Sequence, residues 1–230
     1  MLKMRCDVQV IKYFSFILLA ILLNGCGTGQ NYTKTYLPPI ESEKIAFLGF
    51  KRALSSGQEP ALFLNPLSGA AVRSEPVSLF SADKLSDKFF DMLTDTKECN
   101  IVDLRNVKNL TDPSLFKNNS NDPIKILQSV GKAVSADVVL TGYIYRMNKR
   151  EGSEYSAQSP ASVAFDVYLV SVKDGSFLWK GSFDKTQKSL SENLLEFKAF
   201  LDSKGKWVDA ENLSEIGLNK LINEIPLKNK

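Results

Sequence analysis

Residues 162–183, SVAFDVYLVSVKDGSFLWKGSF, decide how the second half of this chain folds. Apolar residues alternate along the first ten positions, which is the two-residue period of a β-strand. Lys173-Asp174-Gly175 is typical of a hairpin turn, and alternation resumes from Phe177. The stretch therefore predicts two antiparallel strands. One face of the first strand would carry Val163, Phe165, Val167 and Leu169, and the other, interpreted as exposed, Ala164, Asp166 and Tyr168.

Upstream of this hairpin, three short apolar runs predict further strands at residues 44–50, 99–104 and 138–145. Helical periodicity separates them. Residues 82–94 read as one helix with Ser81 as its N-cap, and Asp122-Pro123 begins a second helix that ends near Ser135. Residues 51–78 and 147–159 contain many turn-forming and polar residues, and are interpreted as loops.

The segment after the hairpin, residues 188–226, predicts two C-terminal helices. The first ends near Gly205, and Asp209 caps the second. The inward residues of the second would be Leu213, Ile216, Leu221 and Ile225. The predicted order is β-α-β-α-β-β-β-α-α, an α/β (α+β) fold. Two parallel crossovers followed by an antiparallel meander would give one mixed five-stranded sheet with helices packed on it.

The N-terminal residues 1–25 have the pattern of an export signal. Lys3, Arg5 and Lys12 precede an apolar run that ends in Leu-Asn-Gly-Cys26. The run is eleven residues, about 16 Å as a helix, which is too short for a hydrocarbon core of about 30 Å. Cys26 is the predicted lipid attachment site. Two or more acyl chains on it would hold the protein stably at a membrane.

The residues after Cys26 set the predicted domain boundaries. Residues 26–43 contain Pro38-Pro39 and are interpreted as a short tether, followed by a single domain at 44–230. Gly27 stands where an aspartate would indicate retention in the inner membrane, so the predicted location is the periplasmic face of the outer membrane of a Gram-negative bacterium.

Composition excludes several kinds of chemistry. The chain has no histidine, which removes the commonest general base and metal ligand. Loss of the signal, with Lys3, Arg5, Lys12 and Asp7, leaves 26 basic and 25 acidic residues, so no nucleic-acid partner is expected.

Cys99 would be the remaining free thiol. It is interpreted as a small apolar residue at a strand, with a reactive thiol as the alternative. No cofactor or metal site is predicted.

Four pieces of the chain resemble one envelope family. They are KIAFLGF (44–50), FFDMLTDTKECNIVDL (89–104), ADVVLTGYIYR (136–146) and DVYLVSVKDGSFLWKGSF (166–183). The pattern over residues 44–183 resembles the superfamily of the curli-secretion lipoprotein CsgG, the penicillin-binding-protein activator LpoB and the N-terminal domain of TolB. The resemblance implies a TolB-N/LpoB-like sheet fold, contacts with other envelope proteins or self-association, and no enzyme activity.

Two surfaces are candidates for a partner. Residues 61–77 cannot form a regular helix yet contain apolar side chains, so Leu62, Phe63, Leu64 and Pro66 are predicted contacts, with cover for the core as the equal alternative. Arg146 and Arg150 are a second candidate, with Lys149, Tyr143, Tyr145 and Tyr155 nearby, against a solvated hairpin end. Trp179 and Trp207 are interpreted as core residues, with sugar stacking as the alternative.

The leading hypothesis is therefore a lipid-anchored, non-enzymatic binding or assembly module of the outer membrane, acting through protein–protein contacts in envelope assembly, secretion or cell-wall synthesis. One alternative is an envelope hydrolase that uses carboxylates on peptidoglycan or glycan, which a partly buried Asp/Glu pair in a pocket would favour. Another alternative is a subunit of an oligomeric secretion complex, which symmetric self-association would favour.

Overall fold

The computed structural model describes residues 40, 44–105, 122–149, 151–153, 156–186 and 209–230, with backbone only at 151–153 and 156–159. Several predictions therefore lie outside the described residues. These are the signal segment, Cys26, nearly all of the tether, Arg150, Tyr155, Trp207 and the helix predicted before Gly205.

The described elements follow the predicted order with additions. They are β1 (Ile45–Arg52), β2 (Ala61–Leu64), β3 (Ala71–Ser74), α1 (Leu79–Thr96), β4 (Ile101–Asp103), α2 (Pro123–Ala133), β5 (Val138–Asn148), β6 (Glu151–Ser153), β7 (Ser156–Ser159), β8 (Ser162–Ser171), β9 (Phe177–Thr186) and α3 (Ala210–Glu224).

The main sheet has five strands in the order β4-β1-β5-β8-β9. Strand β1 is parallel to both β4 and β5, because a helical crossover returns the chain each time to the end of the sheet at which β1 begins. Strands β5, β8 and β9 are antiparallel, and Gly175 at the turn before β9 has a φ of 77°. The predicted mixed five-stranded sheet with helices packed on it is confirmed for the described residues, which include three of the four predicted helices.

One face of the sheet, the two-helix face, is covered by α1 and α3. Alternate residues of β1, β5 and β8 point into this layer, and its core is mainly apolar, with Ser86 and Ser214 as buried polar residues of the two helices. Its largest fully buried members include Phe47, Phe89, Leu140, Phe165 and Leu221.

The opposite face, the hairpin face, is covered by α2 and by the hairpin β2–β3. Leu127 and Val130 of α2 are buried on it, and Phe63 and Val72 of the hairpin pack beside them. Strand β8 therefore has both faces buried along all ten residues, since it lies between β5 and β9 and under both layers. The prediction that one face of this strand is exposed is wrong.

The helix starts follow capping chemistry. Asp122 and Asp209 cap α2 and α3 as predicted, each accepting a hydrogen bond from a backbone N–H of the first turn. Helix α1 begins one turn earlier than predicted. Ser78 is its N-cap, and the Ser78 hydroxyl accepts from the N–H of Ser81 at 3.0 Å. Phe80 in this added turn is exposed.

The prediction that Ile216 of α3 points inward is wrong. Ile216 is half exposed, and Gly217 faces the sheet in its place. A Cβ at Gly217 would lie 2.6 Å from the Phe183 ring and 2.8 Å from the Phe165 ring. The helix therefore approaches the sheet so closely that only glycine fits, and this contact turns Ile216 outward.

The two predicted loops contain strands. Residues 51–78 hold the antiparallel pair β2–β3, in which Leu62 pairs with Arg73 and Phe63 with Val72. Strand β5 continues to Asn148, and β6 and β7 form a second short hairpin within residues 147–159. Both regions carry enough turn-forming residues to look irregular in sequence, although the turns connect short paired strands.

The C-terminal residues are fastened to the end of α1. Lys97 is buried, and its ammonium donates to the carbonyls of Ile225 and Leu227 and to Asn229 Oδ1 at 2.6–3.3 Å. Burial lowers the pKa of Lys97. No helix within the described ranges is long and apolar enough to cross a membrane.

Candidate functional site

The hairpin β2–β3 is the candidate site because its two faces differ sharply. Leu62 and Leu64 are 75% and 67% exposed on the outward side. Phe63, between them, is half-buried and points to the sheet, with its ring centroid 5.8 Å from that of Tyr143 and 6.3 Å from that of Tyr145. The alternation of a strand therefore presents two leucines to solvent while one phenylalanine holds the strand down.

The turn of this hairpin is fixed by Asn65, which is fully buried. Its side-chain carbonyl accepts from the N–H groups of Leu67 and Ser68, at 2.8 and 3.1 Å. Its amide nitrogen donates to the hydroxyls of Tyr145 and Tyr168, at 2.5 and 3.0 Å. One side chain thus shapes the turn and bonds it to the sheet below.

A buried carboxylate completes this contact. Asp166 is 6% exposed, and its Oδ2 accepts from Tyr145 at 2.9 Å and from Tyr168 at 2.7 Å. Lys180 of β9 supplies a cation at 3.6 Å from the same oxygen. We call Asn65, Tyr145, Asp166 and Tyr168 the buried tyrosine network.

The protonation of the two phenols keeps this network intact. Burial, with the nearby Asp166 carboxylate adding to it, raises the pKa values of Tyr145 and Tyr168 well above the ordinary phenol value. Both hydroxyls therefore keep their protons and can donate to Asp166 Oδ2. The carboxylate is occupied by structural bonds, so the arrangement serves to position the hairpin.

The second predicted surface is organised differently from the expectation. The Arg146 guanidinium donates to Ser162 Oγ at 3.0 Å, forms an ion pair with Asp184 and contacts the Arg73 carbonyl at 3.4 Å. Its side chain therefore joins β5 to neighbouring strands and to the hairpin. Tyr143 and Tyr145 are buried beneath the hairpin, so the structure does not bring them to a surface with Arg146.

A second cluster of charge lies at the edge of the two-helix face. Arg105 bonds the carboxylates of Asp103 and Asp87, with guanidinium nitrogens 2.6 and 2.7 Å away. Its guanidinium carbon lies 5.3 Å from the Phe47 ring centroid. The Arg105 hydrogen bonds lower the pKa of Asp103. Both carboxylates are thus committed to one arginine.

Cys99 and Trp179, two further candidates from the sequence, both pack against the core of the two-helix face. Cys99 is half-buried beside the two-helix core, and burial raises the pKa of its thiol. The Trp179 ring packs over Gly181, where an added Cβ would lie 2.3 Å from the ring. Within the described residues no group of His, Cys, Asp and Glu could hold a metal ion.

The sequence analysis missed the buried tyrosine network. The available signal was Asp166, an acid with nine uncharged neighbours in the strand SVAFDVYLVS. A lone acid in such a strand needs hydrogen-bond donors once both faces are covered. One donor, Tyr168, is two residues away, but Tyr145 comes from another strand and Asn65 reaches both hydroxyls from the hairpin, so only the folded sheet brings the network together.

Comparison with known proteins gave matches among solved structures. No family model matches the chain, and no curated protein is significantly similar to it. A PelC dodecamer variant from Paraburkholderia phytofirmans has a TM-score of 0.48 at 8% identity, over 84% of this chain and 95% of that one. A hypothetical protein from Chlamydia trachomatis has 0.44 at 12%, over 81% and 96%. The LpoB C-terminal domain from Salmonella enterica has 0.36 at 13%, over 66% and 86%. All three TM-scores are under 0.5, so these likenesses are too weak to assign a function to the chain.

Proposed function

We propose that this chain is a lipid-anchored, non-catalytic binding module that contacts another envelope protein through the outward face of the hairpin β2–β3. The observation that carries the proposal is the exposure of Leu62 and Leu64, at 75% and 67%, on a strand pair outside the main sheet. When a partner covers water-exposed leucines on a short, firmly held strand, the free energy of binding becomes more favourable by about 25 cal/mol per Å² of apolar area buried.

The hairpin is suited to binding because it is held from below. Phe63 packs on two tyrosine rings, and Asn65 bonds the turn to the buried tyrosine network. A surface that is already ordered loses little conformational entropy when it binds. The bonds under the hairpin therefore contribute to affinity, although none of those residues needs to touch the partner.

The outward face has a cation beside its leucines. Arg73 pairs with Leu62 across the β2–β3 ladder, so their side chains share the outward face, and Arg73 is exposed. The complementary partner surface is apolar with an acidic side chain at its rim. Such a charge pair at an interface edge contributes mainly to association rate and orientation.

The anchor in this proposal is Cys26, acylated after removal of residues 1–25. The tether of residues 26–43 would hold a domain at 44–230 close to the periplasmic face of the outer membrane. Envelope contacts are also what the resemblance to the CsgG, LpoB and TolB superfamily implies. The role we assign is assembly or regulation of another envelope component.

The anchor is tested by replacing Cys26 with alanine. We expect Cys26→Ala to move the protein from the membrane fraction to the soluble fraction of lysed cells, because position 26 no longer has a thiol to accept lipid. The matched control is Cys99→Ala, which should leave the distribution unchanged. Retention of Cys26→Ala in washed membranes would refute lipid anchoring at this residue.

The partner surface is tested by photo-crosslinking in intact envelopes. A photoreactive residue at Arg73 should yield a discrete heavier species, and the double change Leu62→Ser and Leu64→Ser should reduce its yield about tenfold, as expected for losing interface leucines. Ile216→Ser, which changes an exposed apolar residue on α3, is the control and should have no effect. Equal yields from the double variant and the parent chain would disprove the assignment.

A further inference from the structure

We propose that the cleft between α2 and the turn of the hairpin β2–β3 binds a small carboxylate with an apolar body. The cleft has a volume of about 220 Å³. Five of its lining residues are apolar, and three carry polar side chains. The lining residues are Lys51, Pro66, Leu67, Pro123, Ile126, Leu127, Thr141 and Tyr143.

The two donors of the cleft are placed side by side by the sheet. Lys51 of β1 and Tyr143 of β5 are register partners on neighbouring parallel strands. Register partners project to the same face, and Tyr143 belongs to the core of the hairpin face. The Lys51 ammonium and the Tyr143 hydroxyl therefore stand on the same side of the sheet, between α2 and the hairpin turn.

Neither donor is satisfied by the described chain. Tyr143 is 8% exposed, and within the described residues its hydroxyl has no hydrogen-bond partner, although a buried polar group ordinarily has one. In the same part of the chain no carboxylate pairs with Lys51. Burial raises the pKa of Tyr143 and lowers that of Lys51, although much of the lysine stays exposed. Tyr143 thus keeps its proton to donate, and Lys51 lies where bound negative charge would stabilise its ammonium.

The other polar groups near the cleft are already bonded. The Thr141 hydroxyl donates to the Gly49 carbonyl at 3.3 Å. The Asp122 carboxylate accepts from the Ile124 N–H at 3.0 Å and lies 4.0 Å from the Lys125 ammonium, so its charge is partly balanced before a ligand arrives. Among the described side chains that line the cleft, the polar groups without a partner are therefore the Lys51 ammonium and the Tyr143 hydroxyl.

This set of groups selects the class of ligand. A cation and a hydroxyl donor that line the same cleft match the two oxygens of a carboxylate, and charge-assisted bonds of this kind are the stronger ones. The proline, leucine and isoleucine walls suit an aliphatic body. The volume equals about seven water molecules at about 30 Å³ each, which limits the ligand to a few carbon atoms. Leu62, Leu64 and Arg73 do not line this cleft, so its test does not depend on the proposed protein contact.

The test is methyl NMR on the full chain in detergent micelles, with butyrate as the probe and butyramide as its neutral isostere. We expect butyrate to shift the methyl signals of Leu67, Ile126 and Leu127 in a saturable way in the millimolar range. Butyramide should bind at least about tenfold more weakly, since it lacks the charge that Lys51 recognises.

Two single changes separate the donors. Lys51→Met keeps the aliphatic stem and should weaken butyrate binding about tenfold, and Tyr143→Phe removes one hydroxyl and should weaken it about threefold. Lys132→Met, an exposed lysine on the same helix as Ile126, should leave binding unchanged. Equal binding of butyrate and butyramide, unchanged affinity in both cleft variants, or shifts located on the two-helix face would each overturn the proposal. Because Tyr143→Phe only removes an unpaired oxygen, it keeps the test valid if Lys51→Met fails to fold.

Discussion

The two faces of the main sheet are covered in different ways. On the two-helix face, α1 and α3 bury an apolar layer in which Phe165 contacts Phe50 and Phe183, with ring centroids 5.5 and 5.4 Å apart. On the hairpin face, the cover over β5 and β8 includes four strand residues of β2 whose turn is bonded to the buried tyrosine network. The first layer is held mainly by buried apolar area, whereas the second adds a few directed hydrogen bonds to its apolar packing.

This difference teaches where stability and function divide in the fold. Apolar packing is nondirectional and tolerates many partners, so it supplies most of the free energy of folding. Hydrogen bonds contribute less each, but they fix one geometry. The hairpin face therefore places its exposed leucines and its cleft accurately, while the two-helix face keeps the sheet folded.

The largest effect should come from the two-helix face. Phe165→Ala should lower the free energy of unfolding by about 3–5 kcal/mol, because it removes a fully buried ring and leaves a cavity. Urea unfolding followed by circular dichroism measures this. Ile216→Ala, on the solvent side of α3, should change stability by less than about 0.5 kcal/mol. Similar losses for both variants would contradict the layer described for this face.

A smaller effect is expected in the hairpin face. Asp166→Ala should lower the free energy of unfolding by about 2–3 kcal/mol, because it leaves the hydroxyls of Tyr145 and Tyr168 without their buried acceptor. The hairpin should also become a protease-sensitive site, since Asn65 bonds the same two hydroxyls. Asp91→Ala, an exposed acid on α1, is the control for both measurements. If Asp166→Ala were as stable and as protease-resistant as the control, the network would not hold the hairpin.

The smallest effect concerns the charged rim of the two-helix face and depends on pH. Arg105 lowers the pKa of Asp103 below its ordinary value of 3.8, so this pair stabilises the fold above that pH and ceases to do so as pH falls through the lowered pKa. Between about pH 6 and about pH 3, the parent chain should lose about 0.5–1 kcal/mol more than Asp103→Asn. Asp95→Asn, an exposed carboxylate on α1, should follow the parent chain. If Asp103→Asn lost as much stability over this pH range as the parent chain, the pair of Arg105 and Asp103 would not stabilise the fold.

Several features of the fold were predicted from residues near each other in sequence. The hairpin at Lys173-Asp174-Gly175, the caps at Asp122 and Asp209 and the order of the five main strands along the chain depend on local patterns, and the structure has them. The cap at Ser78 was missed because Ser81 offers the same chemistry one turn later. The inward position of Gly217 was missed because periodicity favours the larger Ile216, whereas close approach of two layers favours the residue without a side chain.

The partner surface was only half determined by sequence. The leucines at 62 and 64 could be named as candidates, but the choice between contact and core cover remained equal until the strand alternation was seen. The structure divides them, with Phe63 inward and its neighbours outward. Whether the outward pair binds a protein is a prediction, as are Cys26 as lipid site and the outer-membrane location.

The sequence by itself determined the period of the five main strands and of the three described helices, the caps at Asp122 and Asp209, the lack of histidine chemistry and the candidate anchor, because each depends on residue type or on neighbours within a few positions. Only the tertiary structure decided that Asp166 is buried, that Asn65 reaches two tyrosines, and that Lys51 and Tyr143 share one cleft. In the sequence, Asn65 is 80 residues from Tyr145 and 103 residues from Tyr168. Their proximity follows from strand order and register, which no local pattern encodes.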